Sequence, residues 1–124
     1  MTKRIQAIFQ LSRPKDFFFF VLAYTLLGIA SAQGEFGARF LLVCAANFFA
    51  VCFTFIYNQL ADAPLDTFNE LKAAANPIAQ GSISSVGAGI TALTSAVLAL
   101  ALFWLLDWRL VLVGFALIGL GLLY

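Results

Sequence analysis

The sequence predicts an all-α membrane protein of about four transmembrane helices. Of its 124 residues, 63% are hydrophobic and only 10% are charged, and the mean hydropathy is +0.98. Soluble domains are roughly 45–50% apolar and about 25% charged, so this chain lacks the polar residues needed to cover a soluble core. Long runs without charge divide it into segments that suit the bilayer. The net charge of +1 and the dispersed basic residues indicate no nucleic-acid surface.

Residues 1–16 are predicted to form a basic cytoplasmic segment, followed by a transmembrane domain over 17–124. The basic residues of this segment are Lys3, Arg4, Arg13 and Lys15. Its apolar residues fit a short amphipathic helix at the membrane surface. A cleavable signal peptide is an alternative, because Ala30-Ser31-Ala32 follows a basic start and an apolar run. The long basic region, which contains Asp16, and the lack of a following soluble domain argue against cleavage.

Four spans are expected, near residues 17–34, 40–63, 82–106 and 108–124. The second and third are joined by a loop over 64–81, whose middle, Thr67–Ala75, is expected to form a short surface helix. Ser82 is the expected N-cap of the third span. Hydrophobicity continues to Tyr124, so we expect the chain to be truncated at its C-terminus, as a piece of a longer protein.

The basic residues predict the orientation in the membrane. Five of them fall on the side of the N-terminus and two on the other side: Lys3, Arg4, Arg13, Lys15 and Lys72 against Arg39 and Arg109. The N-terminus and the loop over 64–81 are therefore expected in the cytoplasm.

Small residues and cysteines in the spans predict packing rather than chemistry. Small residues recur every four positions in the third span, at Ser84, Ala88, Ala92 and Ala96, and they allow another helix to approach closely. Cys44 and Cys52 would lie about 12 Å apart along one helix, beyond disulfide reach. Both are interpreted as packing residues.

The second span carries polar residues that end in two carboxylates. Asn58, Asp62 and Asp66 are spaced by four, so a continuing helix places them on one face, and Asn47 and Thr54 extend that face into the span. Pro64 predicts that the helix kinks or ends near Ala63.

Negative charge at a helix C-terminus is unfavourable, so these carboxylates need a cation. Oxygen ligands in a chain without histidine select Mg²⁺ or a similar ion. The alternative is that both aspartates are simply solvated outside the span.

These residues resemble the UbiA superfamily of intramembrane prenyltransferases. Asn58, Asp62 and Asp66 match its first signature, Asn-x-x-x-Asp-x-x-x-Asp, and residues 77–84, Pro-Ile-Ala-Gln-Gly-Ser-Ile-Ser, resemble the string that leads into its third span. Arg13-Pro14 fits the start of its first span. The resemblance implies that the chain is the N-terminal half of a nine-helix UbiA-type bundle. Two features depart from the family: Asn76 stands where many relatives carry arginine, and the second Asp-rich motif of a later loop is absent.

The resemblance also implies a reaction, the transfer of a prenyl group from an allylic diphosphate to a lipophilic, often aromatic acceptor. Mg²⁺ would be held by Asp62 and Asp66, and the expected catalytic residues are these two and Asn58. The expected substrate-binding residues are Asn58, Lys72, Asn47, Thr54 and Tyr57. Because a metal-bridged diphosphate needs carboxylates on both sides, the 124-residue chain alone is expected to be inactive.

Two other functions remain as alternatives. A small multi-helix transporter suits the length, but proton-coupled transport needs an acidic residue within a span. No Asp or Glu lies inside a predicted span, since Asp62 stands at the very end of the second. A non-catalytic membrane scaffold would show no dependence on metal. No pattern in the sequence indicates an oligomeric state.

Overall fold

The computed structural model describes residues 3–34 and 36–123. Within these ranges the chain forms six α-helices and no strand: α1 Lys3–Ser12, α2 Pro14–Ser31, α3 Ala38–Asp66, α4 Glu70–Ala75, α5 Ser85–Leu106 and α6 Leu110–Leu123. Helices α2, α3 and α5 are long and apolar enough to cross a bilayer, and α6 is a shorter apolar helix. The predicted all-α membrane protein of about four transmembrane helices is confirmed. Tyr124, the predicted end of the fourth span, lies outside the described residues.

Helix α3 is the centre of the bundle, and α1, α2, α5 and α6 all pack on it, α5 most extensively. Three of the predicted small residues of α5 are buried in the core beside α3: Ala88, Ala92 and Ala96. Their predicted packing role is confirmed. Cys44 and Cys52 are free thiols on α3, with Cys52 buried in the same core.

Pro64 predicted that the helix kinks or ends near Ala63, and the second of these outcomes is wrong, because α3 continues through Pro64 to Asp66. Proline lacks an N–H group, so the carbonyl of Leu60 loses its usual helical donor, but the preceding turns of the helix are unaffected. Because the helix ends at Asp66, two residues after Pro64, the missing hydrogen bond falls in its last turns. Asp66 is therefore a helical residue rather than part of a loop.

The predicted N-cap of α5 was wrong, because the helix begins at Ser85 and Ser84 caps it. The backbone of Ser84 is extended, and its Oγ accepts a hydrogen bond from the N–H of Gly87 at 3.1 Å. The hydroxyl of Ser82 instead donates to Oε1 of Gln80 at 3.3 Å, and its N–H donates to the carbonyl of Pro77 at 2.9 Å. Helix α2 also begins earlier than predicted, at Pro14, since proline suits the first turn of a helix.

The N-terminal helix, the end of α3 and the loop between α3 and α5 lie at the same end of the bundle. Leu11 of α1 is fully buried in the core cluster that contains Ile56 near the end of α3. The guanidinium of Arg13 lies 6.0 Å from the ring centre of Phe55. Within the loop, α4 is shorter than the predicted surface helix and is capped by Asn69. That this end faces the cytoplasm stays a prediction.

Candidate functional site

The last turns of α3 carry the predicted acidic residues on one helix face. Asn58 and Asp66 are half-buried and Asp62 is exposed. All three belong to α3 because the helix continues to Asp66, and their spacing of four residues aligns them along its surface. The structure therefore brings these three predicted catalytic residues to one end of the bundle.

The carboxylate of Asp66 is held by a loop residue that was not among the predicted site residues. The Nδ2 atom of Asn76 donates hydrogen bonds to Oδ2 of Asp66, at 2.9 Å, and to the carbonyl of Gln59, at 2.8 Å. Its Oδ1 accepts from the N–H of Ile78 at 3.0 Å. One signal in the sequence marked Asn76: it stands directly before Pro77, where the resemblance to the family led us to expect arginine.

No cation of the protein neutralises these carboxylates within the described part of the chain. The ion pair found there joins Arg13 to Asp16, with 2.7 Å between Nε and Oδ2. Lys72, the predicted phosphate contact, is exposed in the last turn of α4 and forms no ion pair there. Two negative charges near the C-terminal end of a helix repel each other and oppose its dipole, so a bound cation would stabilise them.

The two aspartates suit a magnesium ion whose remaining coordination positions are filled by a substrate and water. Residues 3–34 and 36–123 contain no group of three acidic, histidine or cysteine side chains suited to hold a metal by themselves. Mg²⁺ is usually bound by one or two carboxylates together with substrate phosphates and water, which is what Asp62 and Asp66 offer. A closed zinc site would need four nitrogen or sulfur ligands. The same turn of α3 also contains a buried oxygen without a hydrogen-bond partner, Oε1 of Gln59. A buried acceptor of this kind calls for a donor such as water.

The polar face of α3 continues into an apolar cavity of about 330 Å³ between α2, α3 and α6. Two predicted substrate-binding residues, Asn47 and Thr54, line it. Asn47 donates from Nδ2 to Oγ1 of Thr25 at 3.2 Å, and Thr54 donates to the carbonyl of Ala50 at 3.3 Å. The remaining lining residues are mostly apolar or aromatic: Phe17, Phe20, Val21, Tyr24, Ala50, Val51 and Leu117.

Tyr57 is not among the residues that line this cavity. Its ring stacks on Phe53 with 5.9 Å between the ring centres, and it packs against the core cluster. The structure thus brings Asn47 and Thr54 together in one cavity and leaves Tyr57 on a different part of α3.

The fold and site together define an integral membrane protein of helices with an acidic site at one end of the bundle and an apolar cavity beside it. Residues 18–124 match the model of the UbiA prenyltransferase family, from the first turns of α2 onward. The chain belongs to this family, whose members are membrane prenyltransferases, and the resemblance stated from the sequence is confirmed. No curated protein and no solved structure matches the chain significantly.

Proposed function

We propose that the protein transfers a prenyl group from an allylic diphosphate to a lipophilic, often aromatic acceptor, with Mg²⁺ held by Asp62 and Asp66. Membership of the family supports the class of reaction. The assignment of the site rests on the pair of carboxylates at the end of α3, which no described lysine or arginine neutralises. The site would lie at the cytoplasmic surface of the membrane, on the same side as the N-terminus.

The chemistry of a diphosphate explains why carboxylates serve in such a site. A diphosphate carries several negative charges and is repelled by Asp62 and Asp66, so the two aspartates bind it only through a divalent cation. When bound, Mg²⁺ supplies positive charge that stabilises the leaving diphosphate. The amide of Asn58 would orient a metal-bound water or a phosphate oxygen, and Lys72 would donate to a phosphate oxygen directly.

The apolar part of the substrate would occupy the cavity between α2, α3 and α6. Its volume of about 330 Å³ lies at the lower end of the range for ligand pockets, roughly 300–1,000 Å³. Aromatic rings line it, and the faces of such rings favour the positive charge that develops on an allylic carbon as the diphosphate departs. Tyr57 does not line this cavity and remains a proposed contact to the substrate.

Charge removal at each aspartate tests this proposal. Asp62→Asn and Asp66→Asn keep the shape of the side chain and remove its charge, so each should lower prenyl transfer by about 10²-fold or more. Asn58→Ala should have a smaller effect, because a neutral group is lost. The assay follows radiolabelled prenyl diphosphate with the complete gene product in nanodiscs, in the presence of Mg²⁺.

Asp107→Asn provides a matched control at the opposite end of α5. The Oδ1 atom of Asp107 accepts from the N–H of Arg109 at 2.8 Å, and asparagine can still accept this bond. The control should keep the wild-type rate. Wild-type rates in both Asp62→Asn and Asp66→Asn would contradict the assignment of the metal site to these two residues. Absence of prenyl transfer by the wild-type protein itself would favour a non-catalytic membrane scaffold.

A further inference from the structure

The side chain of Asn76 connects the loop after α4 with helix α3. It is only 1% exposed, and its three hydrogen bonds join Ile78, Gln59 and Asp66. These partners fix which way the amide points. A rotation by half a turn would place the amide oxygen against two oxygen acceptors and the amide nitrogen against the N–H of Ile78.

This contact determines the orientation of the Asp66 carboxylate. Asp66 is the last residue of α3, where a side chain would otherwise rotate freely at the end of the helix. The same Nδ2 atom that binds Asp66 also binds the carbonyl of Gln59, which lies in a preceding turn of α3. The position of Oδ2 is therefore fixed relative to helix α3 as well as relative to the loop.

The donor is also neutral, and this matters for a cation. A lysine or arginine that bonded to Asp66 in this way would compensate part of its negative charge and so reduce its attraction for a metal ion. The amide of Asn76 orients Asp66 and leaves its negative charge in place. Oδ2 is engaged by the amide, so Oδ1 is the oxygen that the protein leaves to an incoming ligand.

We infer that Asn76 is a positioning residue, which presents the Asp66 carboxylate to the divalent cation in one orientation without neutralising it. This inference rests on the proposed function of Asp66 and goes beyond it, because it assigns a role to a residue outside the acidic signature. Side chains that orient metal ligands in this way typically change metal affinity or activity by about 10–100-fold when they are replaced.

Asn76→Ser separates this role from the structural role of the loop. A serine hydroxyl can still accept from the N–H of Ile78 and keep the local turn, but it is too short to reach Gln59 and Asp66. Asn69→Ser is the matched control in the same loop. Asn69 accepts from the N–H groups of Leu71 and Lys72 as the N-cap of α4, and serine serves equally at an N-cap. Asn69 bonds to Asp66 only through its backbone N–H, which donates to the carbonyl of Asp66 at 3.0 Å, and Asn69→Ser keeps this bond.

Two measurements are made on the complete gene product. The first is the dissociation constant of Mn²⁺ in the presence of inorganic pyrophosphate, from the loss of the electron paramagnetic resonance signal of free Mn²⁺. The second is the Mg²⁺ concentration that gives half-maximal prenyl transfer, together with kcat at saturating Mg²⁺. Asn76→Ser should weaken Mn²⁺ binding and raise the half-activating Mg²⁺ concentration by about 10–100-fold, and saturating Mg²⁺ should restore most of kcat. Asn69→Ser should change neither quantity.

An unchanged Mn²⁺ affinity in Asn76→Ser would overturn the inference, as would a loss of kcat that saturating metal does not restore. If Asn76→Ser does not fold, Asn76→Thr replaces it, because threonine suits the extended backbone at this position, with φ −101° and ψ 110°. Failure of both variants to fold would make Asn76 a structural residue and the inference wrong. The proposed function fails separately, if Asp66→Asn itself keeps the wild-type rate and metal affinity.

Discussion

The contact between α6 and α3 at Gly121 can be tested by adding a single methyl group. Gly121 is buried, and a Cβ atom at this position would meet the side chain of Thr54, first its Oγ1 and then its Cβ at 3.2 Å and its Cγ2 at 3.3 Å. Carbon atoms pack best at about 3.5–4.0 Å. Threonine is stiff at χ1 in a helix and its Cβ is fixed by the backbone, so Gly121→Ala should push α6 away from α3.

The magnitude follows from a comparison with Gly119→Ala two residues earlier. A Cβ at Gly119 meets nothing within 4 Å, so that variant should gain only the preference of a helix for alanine, up to about 1 kcal/mol. Gly121→Ala makes the same gain but also overpacks the interface, which typically costs about 1–3 kcal/mol. Since the helix term is common to both, Gly121→Ala should be less stable than Gly119→Ala by about 1–3 kcal/mol.

The assay is reversible unfolding of the purified protein in mixed micelles, with the fraction of sodium dodecyl sulfate as the denaturing variable. The double variant Thr54→Ala/Gly121→Ala should recover much of the lost stability, because it removes the Oγ1 and Cγ2 atoms that the new methyl group meets. Equal stability of Gly119→Ala and Gly121→Ala would show that α6 does not pack on α3 at Thr54, and the cavity beside Thr54 would then be wrong as well.

Two further predictions concern the loop between α3 and α5. Lys72→Ala should raise the KM for prenyl diphosphate roughly tenfold or more, because a hydrogen bond to a charged group is lost. It should change kcat little. In the same assay, Arg39→Ala at the other end of the bundle should leave both constants unchanged. Gly81→Ala should lower the free energy of unfolding by about 1–2 kcal/mol, because Gly81 has a φ of 73°, which alanine adopts only with strain. Gly28→Ala in α2, where a Cβ meets nothing within 4 Å, should show no such loss in a thermal unfolding experiment.

Local patterns predicted the helices and the acidic face well, because both depend on properties of neighbouring residues. Runs without charge locate the spans, and the spacing of Asn58, Asp62 and Asp66 places them on one face of any helix that contains them. The alanines of α5 were predicted to pack for the same reason, since their four-residue period survives in any helix.

The remaining features depend on contacts between distant parts of the chain. Asn76 and Asp66 are ten residues apart in sequence, and only the folded loop brings the amide to the carboxylate. Ser82 and Ser84 are equally suitable N-caps by composition. In the folded loop the hydroxyl of Ser84 accepts from the N–H of Gly87, whereas the hydroxyl of Ser82 donates to Gln80. Pro64 predicted a kink or an end near Ala63, and the end is wrong because sequence preference alone does not include the packing of residues such as the buried Ala63.

The most direct test of the account is to locate the metal. A structure of the complete gene product with Mn²⁺ and an unreactive prenyl thiodiphosphate, with diffraction data collected at the manganese absorption edge, gives the position of the ion independently of any activity. A metal site at Asp62 and Asp66 predicts an anomalous peak beside their carboxylates, with the diphosphate on its far side and the prenyl chain directed toward the cavity lined by Asn47 and Thr54. A bound diphosphate whose Mn²⁺ peak lies away from both aspartates would contradict it.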